Sequence, residues 1–437
     1  MQMKQKKINY SLLFVAILVG IFLLIFSVSL LKFGVNDEQE IVKVYYVDNI
    51  SAAHQKIINN FNRMNSGEIE VVPIDIPFYK FSTNERKELL IRALRSKSER
   101  VDIFAADIIW VSRFAKWAEN LDKYFSEKEK MDLSDCARST GTINNKFLAS
   151  PLYLDIGVMI YRRDLLNKYE NSSALVEKLD NSITWKEFIA LSEQFKNKRE
   201  FYSFPADDYE GLICSFTELL LTQKKDYFNS EIDFTNHESQ KALQLLVDLV
   251  NKHKISPKEV TSFREKDAYD NFIKNDGLFV RGWKSYEYDS KNLNKESDKE
   301  KFLSYTQLPH FEGAESGATI GGWNLMLAQN SQHKPEAIKF IKYTLSKEAQ
   351  KILFAQGAYL PVIKSIYNDS TFCTENPSIQ FAKEILDEGE LRPKLEDYTR
   401  ISDILSDYIR LAINNEITVD NALLAAETEI LKARKNR

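Results

Sequence analysis

The sequence predicts an α/β fold, a mostly parallel sheet flanked by helices and preceded by one N-terminal transmembrane helix. Three observations lead there. Strand-like segments "IVKVYYVD" (41–48), "IEVVPIDI" (69–76) and "VDIFAAD" (101–107) alternate with helical patterns over Ala52–Arg63 and Asn84–Leu94. Such a β-α-β-α-β run builds parallel pairs with helices on both faces. Capping-box spacing at Ser82/Glu85 and Thr184/Glu187 marks two helix starts. Ser11 to Leu31 is an uncharged apolar run, long enough as a helix to cross a ~30 Å hydrocarbon core.

The apolar run comes first in the chain. Lys4, Lys6 and Lys7 precede it, and Asp37, Glu38 and Glu40 follow shortly after Lys32. The positive-inside rule then makes 1–10 a cytoplasmic N-terminus, 11–32 the anchor in the cell membrane and 33–437 extracytoplasmic. A cleaved signal peptide is the alternative, but no A-x-A-like site is evident and "SVS" at 27–29 is a poor substitute. Either way the body of the protein is exported.

Beyond the third strand, Ile109–Phe125 reads as a helix. "PLYLDIGVMIYRRDLLNKY" (151–169) reads as a long strand feeding a helix, and helices dominate from there to about 275. "DGLFVRGW" (276–283) is strand-like, 289–302 is a charged loop, and "LSYTQLP" is another strand. "GATIGGWNLML" (317–327) then places two adjacent glycines directly before a tryptophan and an apolar strand, in a chain with only 14 glycines. Paired glycines in a strand mark a bend or a close backbone approach. Helices follow over Pro335–Leu345, from Ser346 to Gly357, and from Asp397 onward.

Composition removes several function classes. The net charge of −4 leaves no electrostatic footprint for nucleic acid. Cys136, Cys214 and Cys373 are sparse and odd in number, which argues against a disulfide framework, and none has metal-site spacing with the five histidines. No nucleophile elbow, P-loop, zincin motif or dinucleotide fingerprint is present. No cofactor, metal or enzymatic activity is therefore expected. Scattered carboxylates of the kind glycosidases use remain as the enzymatic alternative, without a pattern that selects a pair.

The sequence instead gathers aromatic and polar residues at strand ends. Asp107 and Trp110 close the third strand, and Tyr153 and Asp155 share one face of a strand. Trp283 ends "LFVRGW", Gly321 and Trp323 lie in the glycine-rich motif, and Arg392 lies in "ELRP". Aromatic rings stack on the apolar faces of a sugar, while carboxylate and guanidinium groups bond its hydroxyls. Each residue has a plainer reading: Trp110 and Trp283 as core, Asp107 as a helix cap, Asp155 as scaffold, Arg392 as a surface ion pair.

From about Val42 to Leu431 the chain resembles the extracellular solute-binding proteins of ABC importers, in the trehalose/maltose-binding branch. The matching stretches are "VDIFAADIIWVSRFAKWAENLDKYF", "SPLYLDIGVMIYRRDLLNKY", "TWKEFIALSEQF", "GLFVRGW", "GGWNLMLAQNSQHKPEAIKFIKYTLSKEAQKILFAQGAYLPVIKSIYND" and "LRPKLEDYTRISDIL". The resemblance implies a two-lobe flytrap of the type II periplasmic-binding-protein-like class, with three crossovers between lobes near Pro151, Trp283 and Gly321. The lobes would comprise 41–151 with 284–318, and 152–283 with 319–437. It also implies that Asp107, Tyr153, Asp155, Trp283, Gly321, Trp323 and Arg392 contact ligand. Asn49, Ser51, His54 and 78–83 would face the cleft. Where the family often has Pro-Tyr after this tryptophan, the chain has Lys284 and Ser285, so that one aromatic contact is either lost or taken over by Tyr286.

The function these readings imply is capture of a di- or oligosaccharide by lobe closure and its delivery to ABC permease subunits, by a monomer tethered through its N-terminal helix. A membrane-tethered sensor reporting to a signalling partner is the second reading. The same fold binding a peptide, polyamine or metal chelate is the third.

Overall fold

The computed structural model describes residues 10–33, 40–195, 200–229, 233–286 and 299–435. Most of the charged loop expected at 289–302, and most of the N-terminus expected in the cytoplasm, lie outside these residues. Eleven strands are present among the described residues: β1 Val42–Asp48, β2 Ile69–Asp75, β3 Ile103–Asp107, β4 Thr142–Ile143, β5 Lys146–Phe147, β6 Ser150–Arg162, β7 Tyr202–Ser203, β8 Phe279–Trp283, β9 Leu303–Thr306, β10 Thr319–Leu327 and β11 Glu390–Leu391. The β4–β5 hairpin stands apart; the other nine strands form one sheet with the path β2-β1-β3-β10-β6-β8-β7, with β11 beside β10 and β9 beside β6.

The opening β-α-β-α-β unit forms as its pattern requires. β1 pairs parallel with both β2 and β3. The helix Ala52–Met64 begins at Ser51, whose hydroxyl accepts the His54 N–H, and Thr83–Arg95 begins at the Ser82/Glu85 capping box. A second capping box, Thr184 with Glu187, starts the helix Trp185–Ser192. Ser346 caps Lys347–Gly357. Each hydroxyl satisfies a backbone donor that the first helical turn leaves unpaired.

β6 and β10 organise the rest. All 13 residues of β6 and all nine of β10 are buried, as suits strands covered on both faces. The two run antiparallel, with Trp323 opposite Tyr153 and Gly321 opposite Asp155. The far half of β10 pairs antiparallel with β3, Trp323 opposite Asp107. The far half of β6 pairs with β8, Gly157 opposite Trp283, and with β9. Residues 303–306 thus sit with the Trp283 strand and residues 323–327 with the opening strands. These two segments pair differently from the division expected at 284–318 and 319–437. In keeping with that division, the helix Tyr398–Ile413 packs on Glu210–Leu221 and His237–Asn251, and Val419–Lys435 packs on His237–Asn251.

Two other expectations change. Ile109–Phe125 is not one helix: it breaks into Val111–Phe114, Ala115–Trp117 and Leu121–Lys123. Tertiary bonds take over its backbone, since the Glu119 N–H donates to Leu327 O at 2.8 Å and the Gln329 N–H to Trp117 O at 2.8 Å. The N-terminal segment does form a helix, Tyr10–Phe33. Among the described residues, however, no helix is long and apolar enough to cross a membrane.

Candidate functional site

A cavity of about 490 Å³ opens where β3, β6, β8 and β10 come together, a size within the roughly 300–1,000 Å³ of small-molecule sites. Its walls include Asp107, Tyr153, Asp155, Trp283, Gly321, Trp323 and Arg392. Seven of the eight residues singled out from the sequence therefore share one cavity. Trp110 does not. It is 1% exposed and packs edge-on behind Trp323, with ring centroids 5.2 Å apart at 87°, so its plainer reading as core prevails.

The two glycines of the GGW motif do different jobs. An added Cβ on Gly321 would lie 2.7 Å from Cζ3 of Trp283, so Gly321 is the gap into which that indole fits. Gly322 has φ +147°, and a Cβ there would lie 2.6 Å from the Tyr153 carbonyl oxygen. Only glycine takes that backbone without strain. Trp323 follows directly, and its ring joins the cavity wall.

Both wall tryptophans carry a buried guanidinium. The Arg86 Cζ sits 4.4 Å from the Trp323 ring and 4.0 Å from the Phe78 ring, and Arg86 donates to Asp48 Oδ1 at 3.2 Å. The Arg281 Cζ sits 4.5 Å from the Trp283 ring, and Arg281 donates twice to Glu218, at 2.6 and 3.0 Å. A cation over an aromatic face is attracted by the ring quadrupole; Glu218 fixes Arg281 as a two-bond planar pair, while Asp48 holds Arg86 through one bond. The rings are thereby held rather than free to rotate.

Carboxylates line the same space. Burial pushes the Asp107 carboxyl up to about 6, against the opposing pull of Arg392 and with a further upward push from Glu210. Arg392 donates to Glu210 Oε1 at 2.6 Å and lies 3.4 Å from Asp107 Oδ1. Glu210 also accepts from the Tyr398 and Ser402 hydroxyls. Asp107 does cap the turn that follows, taking the Ile109 N–H at 3.1 Å. Asp155 is likewise pushed up to about 6 by burial, with the Ser285 hydroxyl, the Ile156 and Ser285 N–H groups and Lys284 acting against the shift. Arg392 is 4% exposed and held by two carboxylates, so it is no surface ion pair.

Of the loop residues expected at the cleft, Asn49, Phe78, Tyr79, Phe81, Ser82 and Thr83 line it. Ser51 and His54 do not: Ser51 caps its helix, and His54 is fully buried beside Asp48. Tyr286 lines the cavity and stacks on Tyr269 at 3.5 Å. Sequence reasoning missed Tyr209, Glu210, Glu265, Tyr269 and Tyr359, all in the wall. Tyr359 stacks on Tyr153 at 4.0 Å, and Glu265 accepts from the Trp283 indole N–H at 3.4 Å. Only the acidic start of the apolar helix Glu210–Leu221 gave a local signal, and that reads equally as dipole compensation. Among the described residues no group of His, Cys, Asp and Glu could hold a metal. The arrangement presents flat rings beside hydrogen-bonding groups, which is a means of holding a ligand.

Residues 47–351 match the family model of the bacterial extracellular solute-binding proteins. A probable ABC transporter-binding protein of Deinococcus radiodurans is 24% identical over 366 residues, covering 80% of this chain and 84% of that protein. The maltose-bound structure of T. maritima MalE3 superposes with a TM-score of 0.80 at 26% identity, over 90% of this chain and 100% of that one. The GacH receptor of Streptomyces glaucescens, solved unliganded and with acarbose, gives a TM-score of 0.75 at 17% identity, over 90% and 98% of the two chains. The fold is thus the two-lobe α/β architecture of periplasmic binding proteins. The chain belongs to the bacterial extracellular solute-binding protein family.

Proposed function

We propose that the protein is an extracytoplasmic receptor that captures a di- or oligosaccharide by lobe closure and delivers it to an ABC permease. The observation that carries this reading is the cavity wall itself. Trp283 and Trp323 supply flat apolar faces, while Asp107, Asp155, Glu210 and Arg392 supply charged hydrogen-bonding groups around one space of about 490 Å³. A sugar ring needs that combination, because its CH faces are apolar and its rim is hydroxylated. The maltose in the T. maritima relative supports the class of ligand. In this reading Asp107, Tyr153, Asp155, Trp283, Gly321, Trp323 and Arg392 contact the sugar, and Trp110 backs Trp323 without touching it.

One lobe is built on β1–β3 with the far half of β10, and the other on β7–β9 with the far half of β6. The Ser11–Leu31 run tethers the monomer to the outer face of the cell membrane. That part of the reading rests on the uncharged sequence behind three lysines and on the exposure of Phe14, Phe22 and Leu24 at 63–68%.

Titration calorimetry of the full-length protein against maltose, trehalose, cellobiose and their longer homologues tests the function. Saturable binding of at least one sugar is expected, with a change in tryptophan emission. No heat from any member of the panel would sink the sugar reading.

A further inference from the structure

The aromatic wall does not stop at the enclosed part of the cavity. Trp110, Trp323 and Phe78 form a row with successive ring centroids 5.2 and 5.4 Å apart. Exposure rises outward along it, from 1% at Trp110 to 7% at Trp323 and 43% at Phe78, and reaches 76% at neighbouring Tyr79. Phe78 and Tyr79 still belong to the cavity wall, so they form its mouth.

The turn that carries them is held from both sides. The Phe78 N–H donates to Asn49 Oδ1 at 3.2 Å, and the Lys80 and Phe81 N–H groups both donate to Pro77 O. Arg86 adds its guanidinium against the Phe78 ring at 4.0 Å. The turn and the Phe78 ring are thus fixed, and both rings stand in a wet position where their exposed apolar area contributes little to folding. The opposite rim is polar: Glu265, Lys266, Asp267 and Asp270 line it from the helix Glu265–Lys274. One apolar and one polar lip, continuing the enclosed wall, repeat its chemistry outside it.

We propose that Phe78 and Tyr79 form an outer subsite that stacks on a further glycosyl unit, so that the natural ligand is a linear oligosaccharide longer than a disaccharide. This rests on the sugar-binding reading of the enclosed cavity and fixes ligand length within it.

The test is calorimetry on the full-length protein with two-, three- and four-unit members of the malto-, cello- and isomalto-oligosaccharide series, repeated for Tyr79→Ala and Phe78→Leu. In the series that binds, the tetrasaccharide should bind about tenfold tighter than the disaccharide, the size of one good aromatic contact. Tyr79→Ala should bring that ratio towards one, and Phe78→Leu should lower it in part. Equal affinity for two, three and four units overturns the outer subsite while leaving sugar binding intact. A ratio unmoved by Tyr79→Ala does the same. Failure of every series to bind overturns the subsite, and failure of trehalose as well removes the sugar reading with it.

Discussion

Replacing Asp155 with asparagine should make the stability of the unliganded protein respond differently to pH. In the wild type, burial raises the Asp155 carboxyl from its ordinary value of 3.8 to about 6. A folded-state value above the unfolded one means that the native protein binds the proton more tightly, so protonation favours folding. That contribution is present below about 4, fades as pH rises through 6, and is gone above it. Between about pH 4.5 and pH 7.5 the two values correspond to a loss of about 2 kcal/mol from this one group. The asparagine variant has no such proton to lose. Its amide oxygen can keep the Ile156 and Ser285 N–H bonds that Oδ1 accepts, but it sacrifices the Oδ2 acceptor of the Ser285 hydroxyl, and so it should be the less stable protein at acid pH. As pH rises its deficit should shrink by about 2 kcal/mol, most of it between pH 5 and 7. Urea unfolding of both proteins across that range measures the difference, and groups common to both cancel. A deficit constant with pH would refute the buried, proton-holding carboxylate. A deficit that grows with pH would mean that Asp155 is stabilised as an anion, as a scaffold ion pair would require.

Two further outcomes follow from the wall. Gly322→Ala should cost about 1–3 kcal/mol, because φ +147° and the Tyr153 carbonyl leave no room for a methyl group; urea unfolding at wild-type stability would contradict this. Trp110→Ala should cost about 3–5 kcal/mol as a core truncation, whereas Trp283→Ala, at a partly buried position, should cost less stability but weaken sugar binding by about tenfold. Paired unfolding and calorimetry check both, and the reverse pattern would exchange the roles of the two rings.

Where the physics was local, the sequence was readable. Ser82 with Glu85 and Thr184 with Glu187 determine their helix starts within four residues, and both capping boxes form. The three opening strands are mainly apolar and separated by helical patterns, so their parallel pairing followed. Reading failed where distant chain decides. Ile109–Phe125 has helical spacing, yet the Glu119 and Trp117 backbones bond to the end of β10 some 200 residues away. Trp110 and Trp323 look alike in a local window; only the tertiary stack puts one behind the other. Glu210 and Tyr359 reach the cavity wall because Arg392 and Tyr153 come to them, and no nearby residue signals that. The pairing of β9 with β6 and of β10 with β3 was not legible around 284–323, because only hydrogen-bond partners distant in the chain decide it.

The antiparallel ladder of β6 and β10 limits how the two lobes can move. Sliding one strand past the other by a single residue would turn every side chain to the opposite face and take Gly321 from beneath the Trp283 indole. Bending and twisting the ribbon breaks none of its bonds. If the lobes close as proposed, they would behave as two leaves on a common spine, with displacement growing with distance from it. In the proposed closure Gly321 and Asp155, on the spine, would travel least, and Tyr79 and the helix Glu265–Lys274, at the mouth, would travel further. A guest would be gripped first at the root and last at the lips, and would leave in the opposite order. Residence time is then governed by the outermost residues, and selectivity by the innermost.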